Sequence, residues 1–372
     1  MGIPEKIKAI EDEIHKTQIN KATEHHVGLL KAKMARLKRE MEEGTQKRTL
    51  STGGGASGFD IRKGGDATVI LIGLPSVGKS TLLNRLTNAR SRVASYHFTT
   101  LTAVPGMMDY RGSRIQILDM PGIIEGAAAG KGLGKKVLSI ARSADLVLIV
   151  LDVFQPHHLT IIKKELFGIG IRVDQKPPDL VMEKASAGGL SINILVPIKI
   201  SEKLVQEILL TYGIRNCRVV IREQGLSDDQ LIDVLSGNRA YIPSVAVLNK
   251  IDLVNQGFVR EVQSKIGSSF IPISADADVN IDALKEEIYK KLDFIRIYLK
   301  KGKETDFKEP LIMQNGSSVG NVCNKIHRSM IKDFRYAQIW GKSAKFGGQK
   351  VGMDHLLVDE DVITITKKFN RP

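Results

Sequence analysis

Cysteine is scarce: Cys217 and Cys323 are the two thiols in 372 residues, far apart and in no C-x-x-C. That spacing excludes a disulfide framework and supports no thiolate zinc site. Long apolar runs are missing as well. No uninterrupted hydrophobic stretch reaches the ~18 residues that crossing a bilayer requires, and the start, Met1-Gly2-Ile3-Pro4-Glu5-Lys6, lacks the apolar core of a signal peptide. The expectation is a cytoplasmic location and no membrane partner. Hydrophobic residues still make up 42% of the chain and charged residues 26%, the balance of a folded protein, and the length leaves room for two or three domains with substantial cores.

Acidic charge is also in short supply. The 41 aspartates and glutamates face 55 lysines and arginines, a net charge of +14, which favours a polyanionic partner. The excess is uneven: from residue 295 to the end there are 15 basic against 8 acidic side chains, so half of it lies in the last fifth of the chain. Two readings stay open for that segment, a solvated basic face and a contact with RNA or ribosomes.

What the chain does have is organised around Gly73-Leu74-Pro75-Ser76-Val77-Gly78-Lys79-Ser80. The apolar run Thr68-Val69-Ile70-Leu71-Ile72 precedes it and the helix-like Thr81-Leu82-Leu83-Asn84-Arg85-Leu86 follows. A strand, a G-x-x-x-x-G-K-S loop and a helix make a phosphate cradle. Loop amides from Gly73 to Gly78 and the helix N-terminus at Thr81 point at the anion, with Ser76 and Val77 in the loop; Lys79 reaches the β- and γ-phosphates and Ser80 ligates magnesium.

Three further loops give the site its selectivity. Asp119-Met120-Pro121-Gly122 ends the strand-like Arg114-Ile115-Gln116-Ile117-Leu118. In that place Asp119 holds magnesium through water and the Gly122 amide meets the γ-phosphate, so the loop tells triphosphate from diphosphate. Between the two motifs, His97-Phe98-Thr99-Thr100-Leu101 offers a hydroxyl to complete the magnesium shell, with Thr100 preferred and Thr99 as the alternative. Asn249-Lys250-Ile251-Asp252 follows the apolar Ser244-Val245-Ala246-Val247-Leu248. A carboxylate at Asp252 accepts from guanine N1 and its 2-amino group together, a pattern adenine does not offer, and such charge-assisted hydrogen bonds are worth ~1.5–3 kcal/mol. Asn249 braces the loop and the base, while the Lys250 stem covers the ring. In Ile271-Pro272-Ile273-Ser274-Ala275, a backbone amide near Ala275 donates to guanine O6. These loops together describe a GTPase in which Lys79, Thr100 and Gly122 act at the reacting phosphate.

Apolar runs without polar alternation, Leu146-Val147-Leu148-Ile149-Val150-Leu151 among them, predict parallel strands buried on both faces of a doubly wound α/β sheet. The expected organisation is a helical segment and Gly-rich linker over 1–60, a GTPase domain over 61–292 interrupted by an α+β subdomain at about 175–240, and a small unit over 293–372. In the first segment Ile7, Ile10 and Ile14 share one stripe, and Val27, Leu30, Met34, Leu37 and Met41 repeat at 3,4 spacing. The break at 17–23 makes two antiparallel helices the expectation, with Lys31, Lys33, Arg36, Lys38 and Arg39 exposed for a partner or the seam packed on the rest of the protein. The last unit alternates as strands at 294–299 and 362–366 around a helix at 319–330, which suits a β-grasp.

The motifs G-x-x-x-x-G-K-S, F-T-T-L, D-M-P-G, N-K-I-D and I-S-A, in this order, resemble the translation-factor-related GTPases of the Obg type. Thr23-Glu24-His25-His26-Val27-Gly28-Leu29-Leu30-Lys31-Ala32-Lys33 and Ile123-Ile124-Glu125-Gly126-Ala127-Ala128-Ala129-Gly130-Lys131-Gly132-Leu133-Gly134, with the phosphate loop, are similar to the developmentally regulated GTP-binding proteins, the DRG family. The resemblance covers essentially the whole chain. It implies an N-terminal helix-turn-helix, a ribosomal-protein-S5-like insertion, a C-terminal TGS domain of ubiquitin-like form, association with ribosomes or translation, and a dedicated regulatory protein as partner; a monomer is expected. Where the best-known small GTPases carry a water-orienting glutamine after the D-x-x-G, this chain has Ile123, which has no hydrogen-bonding group. Slow intrinsic turnover is expected, with an external group able to add ~10³–10⁵. Relatives with an apolar residue here use a potassium ion at the phosphates, but Ser76 stands where they have asparagine. The run from Gly126 to Gly134 is expected to order with triphosphate. Gly132-Leu133-Gly134 and Gly168-Ile169-Gly170 complete no dinucleotide fingerprint. The expected function is a magnesium-dependent GTP hydrolase working as a switch; the alternative is an RNA- or ribosome-binding module that keeps its nucleotide as a structural ligand. A P-loop ATPase leaves Asn249 to Asp252 without a role.

Overall fold

The computed structural model describes residues 2–18, 20, 23–51, 64–87, 96–97, 102–119, 144–266, 270–301 and 304–368. The chain forms two compact units, one of Met1–Phe59 with Gln175–Tyr241 and one of Asp60–Asp174 with Ile242–Pro372.

The second unit is built on a seven-stranded sheet. Across it run Ile271–Pro272, Ser244–Asn249, Leu146–Asp152, Ala67–Ile72, Ser113–Asp119, Thr102–Tyr110 and Tyr96–His97. The five from Ile271–Pro272 to Ser113–Asp119 are mutually parallel. Every residue of Ala67–Ile72 is buried, as the unbroken apolar run requires of a strand covered on both faces. Helices Lys79–Leu86 and Ile281–Lys291 fill one face: Leu82, Leu86, Leu284 and Ile288 pack with Val69, Leu71, Ile117 and Leu148. Helix His158–Gly168 buries Leu159, Ile162 and Leu166 and packs against strand Leu146–Asp152. This is a doubly wound α/β arrangement, and it aligns the carboxyl ends of Ala67–Ile72, Ser113–Asp119, Leu146–Asp152 and Ser244–Asn249 at one edge.

Strand Thr102–Tyr110 has no counterpart among the apolar runs, and it is antiparallel to Ser113–Asp119. A two-residue turn joins them, with Arg111 at φ +49° and Gly112 at φ +80°. Positive φ at both central positions is the geometry that matches a hairpin to the twist of its strands.

The C-terminal part of this unit is a second sheet with a helix on one face. Phe294–Lys301 lies parallel to Val362–Lys367 and antiparallel to Leu311–Gln314, while Phe334–Trp340 pairs antiparallel with Val362–Lys367 and Gln349–Val351. Helix Val319–Ile326 buries Val319, Val322 and Cys323 against Ile295, Ile297, Ala337, Ile339 and Ile363. The helical stretch expected over 319–330 is two pieces. It stops at His327, whose backbone is extended, and restarts as the short helix Ser329–Lys332.

The first unit joins the chain's start to residues far along it. Helices Ile3–Lys16 and Glu24–Ser51 pack together, and the second lies on a subdomain of three strands, Leu180–Lys184, Leu190–Ile194 and Cys217–Ile221, and two helices, Glu202–Thr211 and Asp228–Ser236. Ser201 caps the first of these helices by accepting from the Leu204 N–H, and Ser227 forms a capping box with Gln230. Ala32 is fully buried with Leu204, Val205, Ile208 and Leu231. Most of the cations set out for a partner are engaged inside the unit. Lys31 lies between Asp228 and Asp229 at 3.1 and 3.0 Å, Lys38 meets Glu11 at 2.9 Å, and Arg36 and Arg39 donate to the carbonyls of Thr211 and Leu235. Lys33 is exposed.

Ile208 is completely buried, whereas Leu210, two residues on, is 48% exposed. Ile208→Ala is expected to lower stability by about 2–5 kcal/mol and Leu210→Ala by less than about 0.5 kcal/mol, read by urea unfolding of each variant. Both thiols are buried, and burial pushes their pKa up. Neither Cys217 nor Cys323 is therefore expected to react with iodoacetamide at neutral pH before unfolding, which mass spectrometry of the alkylated chain would show.

Candidate functional site

Strand Ala67–Ile72 feeds the chain into a loop whose geometry depends on its two glycines. A Cβ on Gly73 would sit 2.5 Å from the carbonyl oxygen of Val150, on the neighbouring strand. One on Gly78 would sit 2.4 Å from Nδ2 of Asn249, and Gly78 has φ +90° besides. Ser76 is left-handed as well, at φ +62°. Left-handed residues spaced in this way are the backbone from which anion-binding nests are made. Gly78 is also the N-cap of helix Lys79–Leu86, so the positive end of that helix opens at the loop. Thr81 lies half-buried in its first turn. Lys79 curls back over the loop, its Nζ donating to the carbonyls of Gly73 and Leu74 at 3.0 and 2.8 Å.

Asp119, at the end of the adjacent strand, is 6% exposed and accepts from the Ser80 hydroxyl through Oδ2 at 3.0 Å. Its Oδ1 is buried and, among the described residues, has no hydrogen-bond partner. A buried carboxylate oxygen without a donor is costly. Beside a hydroxyl, in an all-oxygen setting, it is a donor set that fits a hard divalent cation such as magnesium.

Asn249 ties this half of the site to the other. It is 2% exposed at the end of strand Ser244–Asn249, its Nδ2 donates to the Val77 carbonyl at 2.9 Å, and its Oδ1 accepts from the Ala275 N–H at 3.0 Å. Lys250 is left-handed at φ +69° and turns the chain into one turn of 3₁₀ helix over Ile251–Leu253, which leaves Asp252 exposed. Ser274 is fully buried and accepts from the Ala277 N–H at 3.0 Å. The structure therefore joins the Gly73–Ser80 loop, Asp119, Asn249, Lys250, Ser274 and Ala275 in one hydrogen-bonded edge. Thr100 and Gly122 lie outside the described residues, as do Ile123 and the glycine-rich run from Gly126 to Gly134.

Two residues of this edge have no role in the sequence reading. Asp152 holds the Lys250 ammonium at 2.8 Å through Oδ2 and accepts from the Phe154 N–H through Oδ1 at 2.9 Å. Its position was the available signal: a lone acid ending six apolar residues stands where Asp119 and Asn249 stand in their own strands. Arg85 donates from Nε to the Ala275 carbonyl at 2.9 Å and from Nη2 to the Asp276 carbonyl at 2.8 Å, pinning the last loop to the helix of the phosphate loop. Nothing distinguishes it in sequence from any other helical arginine.

Family comparison agrees with this architecture. A sequence model of the 50S ribosome-binding GTPase matches residues 68–184, one for the C-terminal region of that domain matches 187–294, and one for the TGS domain matches 295–367. An uncharacterized GTP-binding protein of Methanocaldococcus jannaschii is 50% identical over 99% of this chain and 94% of its own length. Developmentally-regulated GTP-binding protein 1 homolog of Dictyostelium discoideum is 46% identical over 99% of this chain and all of its own. Developmentally-regulated GTP-binding protein 2 of Homo sapiens is 46% identical, again over 99% and 100%. The chain belongs to the developmentally regulated GTP-binding proteins. It is thus a GTP-binding protein of the Obg-related class, an α/β P-loop fold with an N-terminal helix pair and a C-terminal TGS domain. Among the described residues no helix is long and apolar enough to cross a membrane.

Asn249→Ala strips partners from the Val77 carbonyl and the Ala275 N–H, at about 1–3 kcal/mol for each group left unpaired. The variant is expected to lose both thermal stability and GTP affinity, read by thermal melts and fluorescent-nucleotide titration. Arg85→Met keeps the phosphate loop but frees the Ala275–Asp276 carbonyls, and is expected to weaken GTP binding several-fold with little change in the melting temperature.

Proposed function

We propose that this GTP-binding protein is a magnesium-dependent GTP hydrolase that works as a molecular switch on ribosomes. The observation that carries the reading is Asn249, which locks a phosphate loop and a purine-reading loop into one rigid edge. An edge of this kind supports recognition of a whole nucleotide rather than of a phosphate alone.

In this reading Gly73, Ser76, Val77, Gly78 and Thr81 line the phosphates with loop and helix amides. Lys79 exchanges the Gly73 and Leu74 carbonyls for the β- and γ-phosphate oxygens. Ser80 and Thr100 would hold the magnesium, with Asp119 behind its water, and the ion would supply charge to offset the phosphate oxygens. The Gly122 amide senses the third phosphate. Asp252 accepts from the guanine N1 and 2-amino groups, and the Lys250 stem lies along the ring, its head fixed by Asp152. The donor to guanine O6 is a backbone amide near Ala275. The Ala275 N–H already serves Asn249 and the Ala277 N–H serves Ser274, which leaves the role to Asp276. Ile123 offers the attacking water no hydrogen bond, so turnover of the isolated protein is slow and a partner raises it.

The segmentation has a functional counterpart in this proposal: residues 61–292 bind and hydrolyse GTP, while the helix pair of 1–60, the subdomain at about 175–240 and the TGS domain of 293–372 face other molecules. The basic C-terminal segment also favours a second reading, an RNA- or ribosome-binding module that holds its nucleotide only for structure. Turnover measured with and without ribosomes separates the two, since no hydrolysis under any condition leaves the second alone.

GTP is expected to bind far better than ATP, and Asp252→Asn to shift preference toward xanthosine triphosphate by roughly 10-fold or more. Competition titrations with the three nucleotides check this, and equal ATP and GTP affinity of the native protein would contradict it. Ser80→Ala is expected to abolish the gain in GTP affinity that magnesium gives, measured as affinity against magnesium concentration.

A further inference from the structure

The helix Val319–Ile326 covers one face of the TGS sheet; on the other face Phe294 and Ile312 are buried in the core of the seven-stranded sheet, while Tyr298, Tyr336, Gln338 and Trp340 stay partly exposed. Side chains alternate across a strand, so while Ile295, Ile297, Ala337, Ile339 and Ile363 point to the helix, their neighbours point away. The register sets Tyr298 beside Val362 and Val362 beside Trp340, Gln338 opposite both Thr364 and Lys350, and Tyr336 opposite Thr366. The part of that face left open is therefore aromatic, basic and hydroxylated.

Its cations are held in an unusual way. The Lys300 ammonium lies 4.2 Å from the centroid of the Trp340 ring, and the Lys350 ammonium lies 4.8 Å from that of Tyr336. Among the described residues neither lysine has a carboxylate partner. The rings order the ammonium groups without neutralising them, as the quadrupole of an aromatic face allows. Asp359 and Glu360 are taken up by Arg296 at 2.7 and 2.8 Å. Two large aromatics flank the face in the open: Phe307, 65% exposed and 5.1 Å from the Tyr298 ring, and Phe346, 66% exposed and followed by Gly347 and Gly348, which pack on the Trp340 indole.

Unneutralised cations on a sheet, with bare rings at its margin, match a ligand that has both a polyanionic backbone and flat apolar faces. A nucleic-acid duplex hides its base faces, whereas a single strand presents them. We propose that the open face of the TGS sheet is a binding site for single-stranded RNA: Lys300 and Lys350 meet phosphates, and Phe307 and Phe346 stack on unpaired bases. The site deepens the ribosome reading above by naming a surface and a chemistry for it, and it can be tested without ribosomes.

The test is fluorescence anisotropy of a labelled single-stranded RNA 12-mer with the full chain across a salt series, with GTP affinity as the control for folding. The native protein is expected to bind. Lys300→Gln with Lys350→Gln should weaken binding at least tenfold and make the salt slope shallower by about 1.4, at ~0.7 for each lost phosphate contact. Lys350→Glu, on an exposed side chain, should act in the same direction should the double variant fold poorly. Phe307→Ala and Phe346→Ala should each weaken binding by about 5- to 150-fold with the slope unchanged. GTP affinity should stay at the native value throughout. Three results overturn the proposal: no binding by the native chain, native affinity in the lysine variants, or a duplex bound as tightly as the single strand with the phenylalanine variants silent. Ribosome co-sedimentation reports separately on the broader reading. Ribosomes bound by a chain that ignores the 12-mer overturn the sheet-face site alone, whereas a chain that binds the 12-mer but not ribosomes overturns the ribosome reading alone.

Discussion

One carboxamide, that of Asn249, is the constraint on which the nucleotide edge depends. Its two halves hold two loops that are about 200 residues apart along the chain, one by donation to Val77 and the other by acceptance from Ala275. An amide can do both at once because it carries donor and acceptor on one planar group. An aspartate in its place could not donate to the Val77 carbonyl, and a leucine could do neither. The glycine at position 78 follows from the same contact, since a side chain there would occupy the place of Nδ2. Selection at one buried position thus fixes the residue type at another.

The rest of the edge repeats this economy. Three of the parallel strands end in a polar side chain, Asp119, Asp152 and Asn249, and each of these holds a neighbouring loop. Parallel strands make this possible because their carboxyl ends lie side by side where the strand order turns back, with the helix N-termini beside them. The apolar interior of the sheet supplies rigidity, and one residue at the end of each of these three strands supplies chemistry.

Much of this edge was legible in the chain itself because each signal was local. A glycine-bounded loop between an apolar run and a helix, and N-K-x-D after another apolar run, need no knowledge of distant residues. Elements that depend on distant partners were harder to read. Thr102–Tyr110 contains Pro105 and Gly106 and lacks strand-like patterning, yet it forms because Ser113–Asp119 offers it an edge, where proline is tolerated. Leu180–Lys184 is a half-exposed strand of only five residues. The charges of helix Glu24–Ser51 suited a partner or packing on the rest of the protein equally well, and Asp228, Asp229, Thr211 and Leu235 had to be placed in space before their roles were visible. Arg85 and Asp152 act through geometry of the same non-local kind.

The sharing of one core between the chain's beginning and residues 175–241 bears on how the protein is made. Ala32 is sealed by Leu204 and Ile208, so the apolar flank of the long N-terminal helix emerges during synthesis well before its cover exists. The parallel sheet that follows begins to form in that interval, and its strands too wait for partners from later in the chain. Native contacts of such long range are slow to close and leave sticky surface exposed meanwhile. A nascent chain of this topology has reason to be chaperoned, or to pair its first two helices into a provisional hairpin, until the middle of the polypeptide has left the exit tunnel.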